Sequence, residues 1–152
     1  MAKKHQYSGH PGDCSPEQLQ ALDEIKKIMR NEGITDPQYD DVFYLRFLRA
    51  RKFNLKKTTL MLNNFFKWRK DEDVDGLYNF DYPEINQVRK YFPHLFFRTD
   101  REGRPIYIEK VGMMDFNNLK NVTTKERFKQ YFVYAEEHLL KEKMPACSEA
   151  AG

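Results

Sequence analysis

The sequence predicts an α/β protein that is mostly helical over this stretch: a small three-helix module to about residue 76, then two strands and a long helix. Three observations lead there. Helix-start signals precede apolar residues at helical spacing in the first half. The run Ile106-Tyr107-Ile108-Glu109-Lys110-Val111 is strand-like, with Ile106 and Ile108 on one face and Tyr107 and Glu109 on the other. Thr123-Thr124-Lys125-Glu126 reads as a capping box for a final helix.

Residues 1–13 are polar, with glycines and Pro11, and are expected to form a disordered tail; the helical domain is expected over 14–76 and a second domain from 77 to 152. Ser15-Pro16-Glu17-Gln18 predicts the first helix: Ser as N-cap, Pro at N1, Gln at N3. Its stripe is Leu19, Leu22, Ile25 and Ile28 or Met29, and Gly33 stops it. A second helix starts at Asp40 or Asp41 and runs to about Lys52. Asn54 caps a third, whose Met61, Phe65 and Trp68 make an apolar stripe; Phe65 and Trp68 are expected in the core. The acidic run Asp71-Glu72-Asp73 ends it, and Asp75-Gly76 is a turn.

Pro83 and Glu84 open a short helix that ends before Pro93. Leu95–Thr99 is the first strand and Asp100–Gly103 the loop after it. The final helix is predicted to carry Phe128, Phe132, Ala135 and Leu139 inward, to run to about Lys143 and to be closed by Pro145, with no further element. Two strands and one helix do not enclose a core. The chain therefore reads as the front part of something longer, with exposed apolar surface and a tendency to aggregate.

Charge singles out Val42 to Lys70. Its 29 residues hold nine cations and no Asp or Glu, in a chain whose net charge is +3, so the remainder sums to 3 − 9 = −6. Such a segment meets anions, unless it is merely a solvated helix face. On a helical wheel with Tyr44 at 0°, Leu45, Phe47 and Leu48 fall at about 100°, 300° and 40° and mark the buried face. Arg46 and Arg49 fall outside it, at about 200° and 140°. Arg51 and Lys52, at about 340° and 80°, continue the apolar face. They lie beyond the packed region, snorkel out of it, or line a cleft and await an anion.

Other chemistry is sparse. No apolar run approaches the roughly 20 residues of a membrane span, and the N-terminal stretch carries no apolar core of a secretory signal. Ala2 is not a myristoylation acceptor. Cys14 and Cys147 lie far apart and are expected to be free thiols, as in a cytosolic protein. His5, His10, His94 and His138 lack metal-ligand spacing, and Ser8, Ser15 and Ser148 sit in no nucleophile motif. Neither enzyme activity nor a cofactor is expected.

Four stretches, in order, carry a family resemblance: LRFLRARKF (Leu45–Phe53), KWRKD (Lys67–Asp71), YFPHLFFRTDREGRPIYIEKVG (Tyr91–Gly112) and MPACSEAAG (Met144–Gly152). From about Gln18 onward the chain resembles the CRAL-TRIO lipid-transfer family, in particular its fungal-type phosphatidylinositol/phosphatidylcholine transfer proteins. The resemblance implies a helical N-terminal domain on an α/β lipid-binding domain, whose sheet-floored pocket holds one phospholipid behind a mobile helix. This sequence stops before the rest of that sheet and the gate. The family's phosphoinositide headgroup contacts correspond to Arg51 and Lys52. Two tyrosines that hold a choline headgroup correspond to Phe96 and Tyr107. Phe96 keeps the ring without the hydroxyl, which implies weaker choline-lipid binding with a cation–π contribution retained.

The resemblance further implies a monomeric, cytoplasmic protein, peripherally associated with Golgi and endosomal membranes. It would transfer phosphatidylinositol and choline lipid, serve lipid kinases and support vesicle traffic. Two other readings fit the basic segment: a nucleic-acid-binding module built on the 42–70 helices with aromatic stacking, and a protein-binding adaptor. The modest pI of about 8.7 weighs against nucleic acid as a partner.

Overall fold

A computed structural model describes residues 6–151. Its chain divides into two compact units, Met1–Asp71 and Glu72–Gly152. The predicted class holds: mostly helix, with one two-stranded sheet.

The first unit is three helices. In α1 (Pro16–Asn31) the predicted capping box is present: Ser15 Oγ accepts the Gln18 N–H at 3.2 Å, and Gln18 Oε1 accepts the Ser15 N–H at 2.9 Å. Ala21, Leu22, Ile25 and Met29 are buried, but Leu19 is half exposed, contrary to the predicted stripe. It lies about 100° round the helix from the centre of the buried arc. Gly33, at φ 85°, ends α1: its N–H reaches the Arg30 carbonyl and that of Ile34 reaches Met29, the paired bonds of a left-handed helix stop.

In α2 (Asp41–Ala50) Asp40 Oδ1 accepts the Phe43 N–H at 2.8 Å, and Tyr44, Leu45, Phe47 and Leu48 are all buried, as the wheel predicts. The helix nevertheless ends two residues before the predicted Lys52. Arg51 is its C-cap, and Lys52 and Phe53 take φ of 52° and 57°. The Lys52 N–H donates to the Arg49 carbonyl and the Phe53 N–H to that of Leu48, at 3.1 and 2.7 Å. These are again the two bonds of a left-handed stop, here with lysine where glycine is usual.

Asn54 caps α3 (Leu55–Asp71), its Oδ1 accepting the Lys57 N–H at 3.0 Å. The buried side chains are Thr58, Leu62 and Arg69, with Met61, Phe65 and Phe66 half-buried. Trp68 is 39% exposed, so it is not the core residue predicted. The stripe runs through 58, 62, 65 and 69, and Arg69 takes the inward place with its guanidinium 5.6 Å from the Phe65 ring. Tyr39, Phe43, Phe47, Phe65 and Phe66 form an aromatic group with ring separations near 5 Å.

Ahead of α1 a disordered tail was the expectation. Residues 1–5 lie outside the described residues, while residues 8–13 form a turn: Gly9 N–H donates to the Asp13 carbonyl and Asp13 N–H to that of His10. Gly9 packs against Phe53, where a Cβ would lie 2.7 Å from the ring, and takes φ 75°. Only glycine meets both conditions there.

The second unit opens with a 3₁₀ turn (Gly76–Asn79) and α4 (Ile85–Tyr91). Strands β1 (His94–Thr99) and β2 (Pro105–Glu109) pair antiparallel, His94 opposite Glu109, Leu95 opposite Ile108 and Phe96 opposite Tyr107. The register slips between Phe96 and Thr99, where Arg98 has φ 50°. A 3₁₀ turn (Val111–Met113) and α5 (Phe116–Leu119) follow, neither foreseen.

Helix α6 (Lys125–His138) starts one residue later than the predicted box requires: Thr124 caps it, so its third residue is Arg127 rather than Glu126 and the box does not close. Thr123 instead places its hydroxyl 3.0 Å from Tyr82 Oη. Pro145 does not close this helix either. The chain passes without a break through a π turn (Leu139–Lys143) into α7 (Met144–Ala151), so Pro145 follows directly on a stretch where the regular α-helical bonding is already interrupted. Tyr82, Val88, Phe92, Leu119 and Tyr131 form the core, with Phe128 and Phe132 packed against them.

The Arg127–Glu84 pair ties α6 to the start of α4, with Arg127 Nη2 2.9 Å from Glu84 Oε2 and Arg127 Nε on the other carboxylate oxygen. That hydrogen bond holds the Glu84 carboxyl below its ordinary range. A folded pKa below the unfolded one gives stability that is present above the unfolded value, about 4.3, and lost as pH falls through the folded one. Glu84→Gln should therefore destabilise the protein at pH 7, with the gap to the parent closing in urea titrations below about pH 4.

Candidate functional site

The basic segment spans α2, the turn after it and α3. Because α2 stops at Ala50, Arg51 and Lys52 do not continue its apolar face; both are exposed and sit in the turn. Arg51 Nη1 donates to the Ala50 carbonyl at 3.2 Å. Lys52, held by the left-handed turn, lines an open depression with Ser8, Arg46, Arg49, Ala50 and Phe53; Arg51 is not among its lining residues.

The wheel placed Arg46 and Arg49 on the outer side, and it is there that they join Lys52. The Arg46 guanidinium lies 5.5 and 5.7 Å from the Phe43 and Phe47 rings, which fixes its stem against the helix. Among the described residues no carboxylate forms an ion pair with Arg46, Arg49, Arg51 or Lys52. Three cations round one open depression make a local positive field suited to a phosphate oxygen. Ser8 was not foreseen. Its place is set by the turn that Gly9 packs on Phe53, and no spacing rule announces that.

The other predicted pair lies in the second unit. Phe96 and Tyr107 face each other across the hairpin, ring centroids 4.9 Å apart. Lys143 Nζ lies 5.4 Å from the Phe96 ring, so this ring already accepts a cation on its face. Tyr107 is 38% exposed. Burial of its hydroxyl, reinforced by Glu109, pushes its pKa far up, so the group stays a protonated donor.

Behind it His94 is buried, with Nδ1 2.8 Å from the Phe92 carbonyl and Nε2 2.9 Å from Tyr131 Oη. Burial lowers its pKa and favours the neutral ring. A carbonyl only accepts, so Nδ1 carries the proton and Nε2 accepts from Tyr131. His94 thus holds the base of the hairpin. No group of three or more His, Cys, Asp or Glu suited to a metal occurs among the described residues. Both cysteines are free thiols. No helix there is long and apolar enough to cross a membrane.

Comparison with known proteins assigns the helical module. Residues 17–64 match the family described as CRAL/TRIO, N-terminal domain, spanning α1, α2 and the first part of α3. The chain carries a CRAL/TRIO N-terminal domain.

Similarity to individual proteins extends well past that domain. The chain is 43% identical over 145 residues to Sec14 cytosolic factor of Schizosaccharomyces pombe, covering 95% of this chain and 50% of that protein. It is 39% identical over 146 residues to SEC14 cytosolic factor of Kluyveromyces lactis, covering 95% and 48%. To phosphatidylinositol/phosphatidylcholine transfer protein SFH9 of Arabidopsis thaliana it is 43% identical over 137 residues, covering 89% and 24%. The chain thus spans about half or less of the length of these relatives.

Proposed function

We propose that this chain is the N-terminal part of a non-enzymatic phospholipid-transfer protein, with the helical module followed by the start of its lipid-binding domain over 77–152. The observation that carries the reading is the acid-free cationic depression containing Lys52, in a chain 43% identical to a phosphatidylinositol/phosphatidylcholine transfer protein. In this reading the protein docks transiently on a membrane and exchanges one bound phospholipid for another. Lys52 supplies a point charge to the inositol phosphate and the exposed Arg51 a planar fork. Phe96 offers a ring face to a choline ammonium, and the Tyr107 hydroxyl donates to the phosphate oxygen of the same headgroup. The biological setting that follows is a cytoplasmic monomer supplying phosphatidylinositol to lipid kinases at Golgi and endosomal membranes, in support of vesicle traffic.

The test is transfer of labelled phosphatidylinositol between vesicles by the longest form of the protein. Arg51→Ala with Lys52→Ala should lower the rate at least about tenfold, since a charge-assisted bond contributes about 1.5–3 kcal/mol. Equal transfer by the double variant and the parent would remove both residues from the headgroup site.

A further inference from the structure

The segment between β2 and α6 exposes apolar surface in an ordered setting. Val111, Met113 and Phe116 are 62%, 63% and 65% exposed, three large apolar side chains within six residues. They are not on a loose loop. Met114 packs against the second core and Leu119 is buried in it, so these two anchor the segment while Val111, Met113 and Phe116 stay exposed. The Asp115 N–H donates to the Tyr91 carbonyl at 2.8 Å, and those of Met113 and Met114 close the 3₁₀ turn on Lys110 and Val111.

Charge is arranged round this tip. Lys110 and Lys120 flank it, both exposed. Its one carboxylate, Asp115, accepts the Asn118 backbone N–H at 3.0 Å and the Asn118 side-chain amide at 2.7 Å, and those bonds hold its pKa below the ordinary range. Outward-facing apolar groups between two lysines match an anionic phospholipid interface: hydrocarbon beneath, negative headgroups at the rim.

We propose that Lys110–Lys120 is a membrane-contact element, which seats Val111, Met113 and Phe116 among the headgroups of an anionic bilayer while Lys110 and Lys120 meet the surface charge. The choice of a lipid surface over other occupants rests on the lipid-exchange reading above and on the flanking lysines.

The test is co-sedimentation with vesicles of phosphatidylcholine and phosphatidylserine at about 7:3, using this chain and the longest form of the protein. Met113→Ser with Phe116→Ser should weaken vesicle binding at least about tenfold, because the lost apolar contact is worth more than one decade. Lys110→Ala with Lys120→Ala should weaken binding to these vesicles but not to pure phosphatidylcholine. Leu60→Ser, at a residue 63% exposed in α3, should bind as the parent does. Circular dichroism melts of all variants should coincide with the parent's, since none of these side chains is buried.

Unchanged binding by the Met113/Phe116 variant overturns the proposal, and so does an effect in this chain that is absent from the longest form. Concentration-dependent self-association abolished by the same variant, without vesicle binding, would assign the patch to a second copy and overturn it too. A parent that carries phospholipid in native mass spectrometry yet ignores vesicles sinks this inference and leaves the lipid-exchange reading standing. A parent that does neither sinks both.

Discussion

Leu48→Ala should lower the stability of the first unit by about 3–4 kcal/mol, read from the midpoint of its urea transition at constant slope. Leu48 is fully buried, in one cluster with Ile25, Met29 and Leu62 from the neighbouring helices. Alanine removes most of its side chain from a site lined by three rigid helices, and packed helices close only partly over such a void. The residue also sits two positions before the end of α2 and its carbonyl accepts the Phe53 N–H. Truncation leaves that backbone bond in place, so the loss reports packing alone. A shift below about 1 kcal/mol would mean that α1 and α3 collapse onto the gap.

Phe92→Ala should cost the second unit about 3–5 kcal/mol. The ring is 2% exposed and touches Phe128, Phe132 and His94, with centroids 5.5, 5.7 and 4.8 Å away. It is the wedge between the end of α4, the start of β1 and the inner face of α6. Its carbonyl accepts the His94 Nδ1–H, which alanine preserves in principle. If the backbone shifts into the cavity, that bond lengthens and the buried imidazole gains access to water. The His94 resonance would then titrate closer to the ordinary histidine range in an NMR pH series. A stability loss under about 1.5 kcal/mol would show that the aromatic cluster repacks without its centre.

What the sequence made legible was local. The Ser15 box, the Asp40 and Asn54 caps and the strands predicted near 95–99 and 106–111 depend on residues within a few positions of one another, and all are present, although β2 stops at Glu109 and Val111 opens a 3₁₀ turn instead. Element ends were less legible. The stop at Ala50 depends on a lysine adopting a backbone conformation that composition assigns to glycine, so the wheel carried Arg51 and Lys52 one half-turn too far. Thr123 and Thr124 are equally good caps by type, and only the hydroxyl contact of Thr123 with Tyr82 decides between them. Burial on α3 failed for a tertiary reason: Arg69 occupies the inward arc and Trp68 turns out of it. The depression round Lys52 needs Ser8, more than forty residues away in sequence, and periodicity carries no information at that separation.

The left-handed turn after α2 sets two demands against each other at one residue. Glycine would relax the backbone at position 52, and a side chain there costs on the order of 1–2 kcal/mol. Lysine is nevertheless what the chain places at φ 52°. The same conformation that is unfavourable for the backbone is what aims this ammonium beside Arg46 and Arg49 instead of along the helix. Alanine at 52 would remove the charge and keep the torsional penalty; glycine would remove both. Under the proposed headgroup role, any loss of affinity common to the two replacements belongs to the ammonium. Any difference in melting between them measures how much rigidity the fold gives up to hold a cation in that spot.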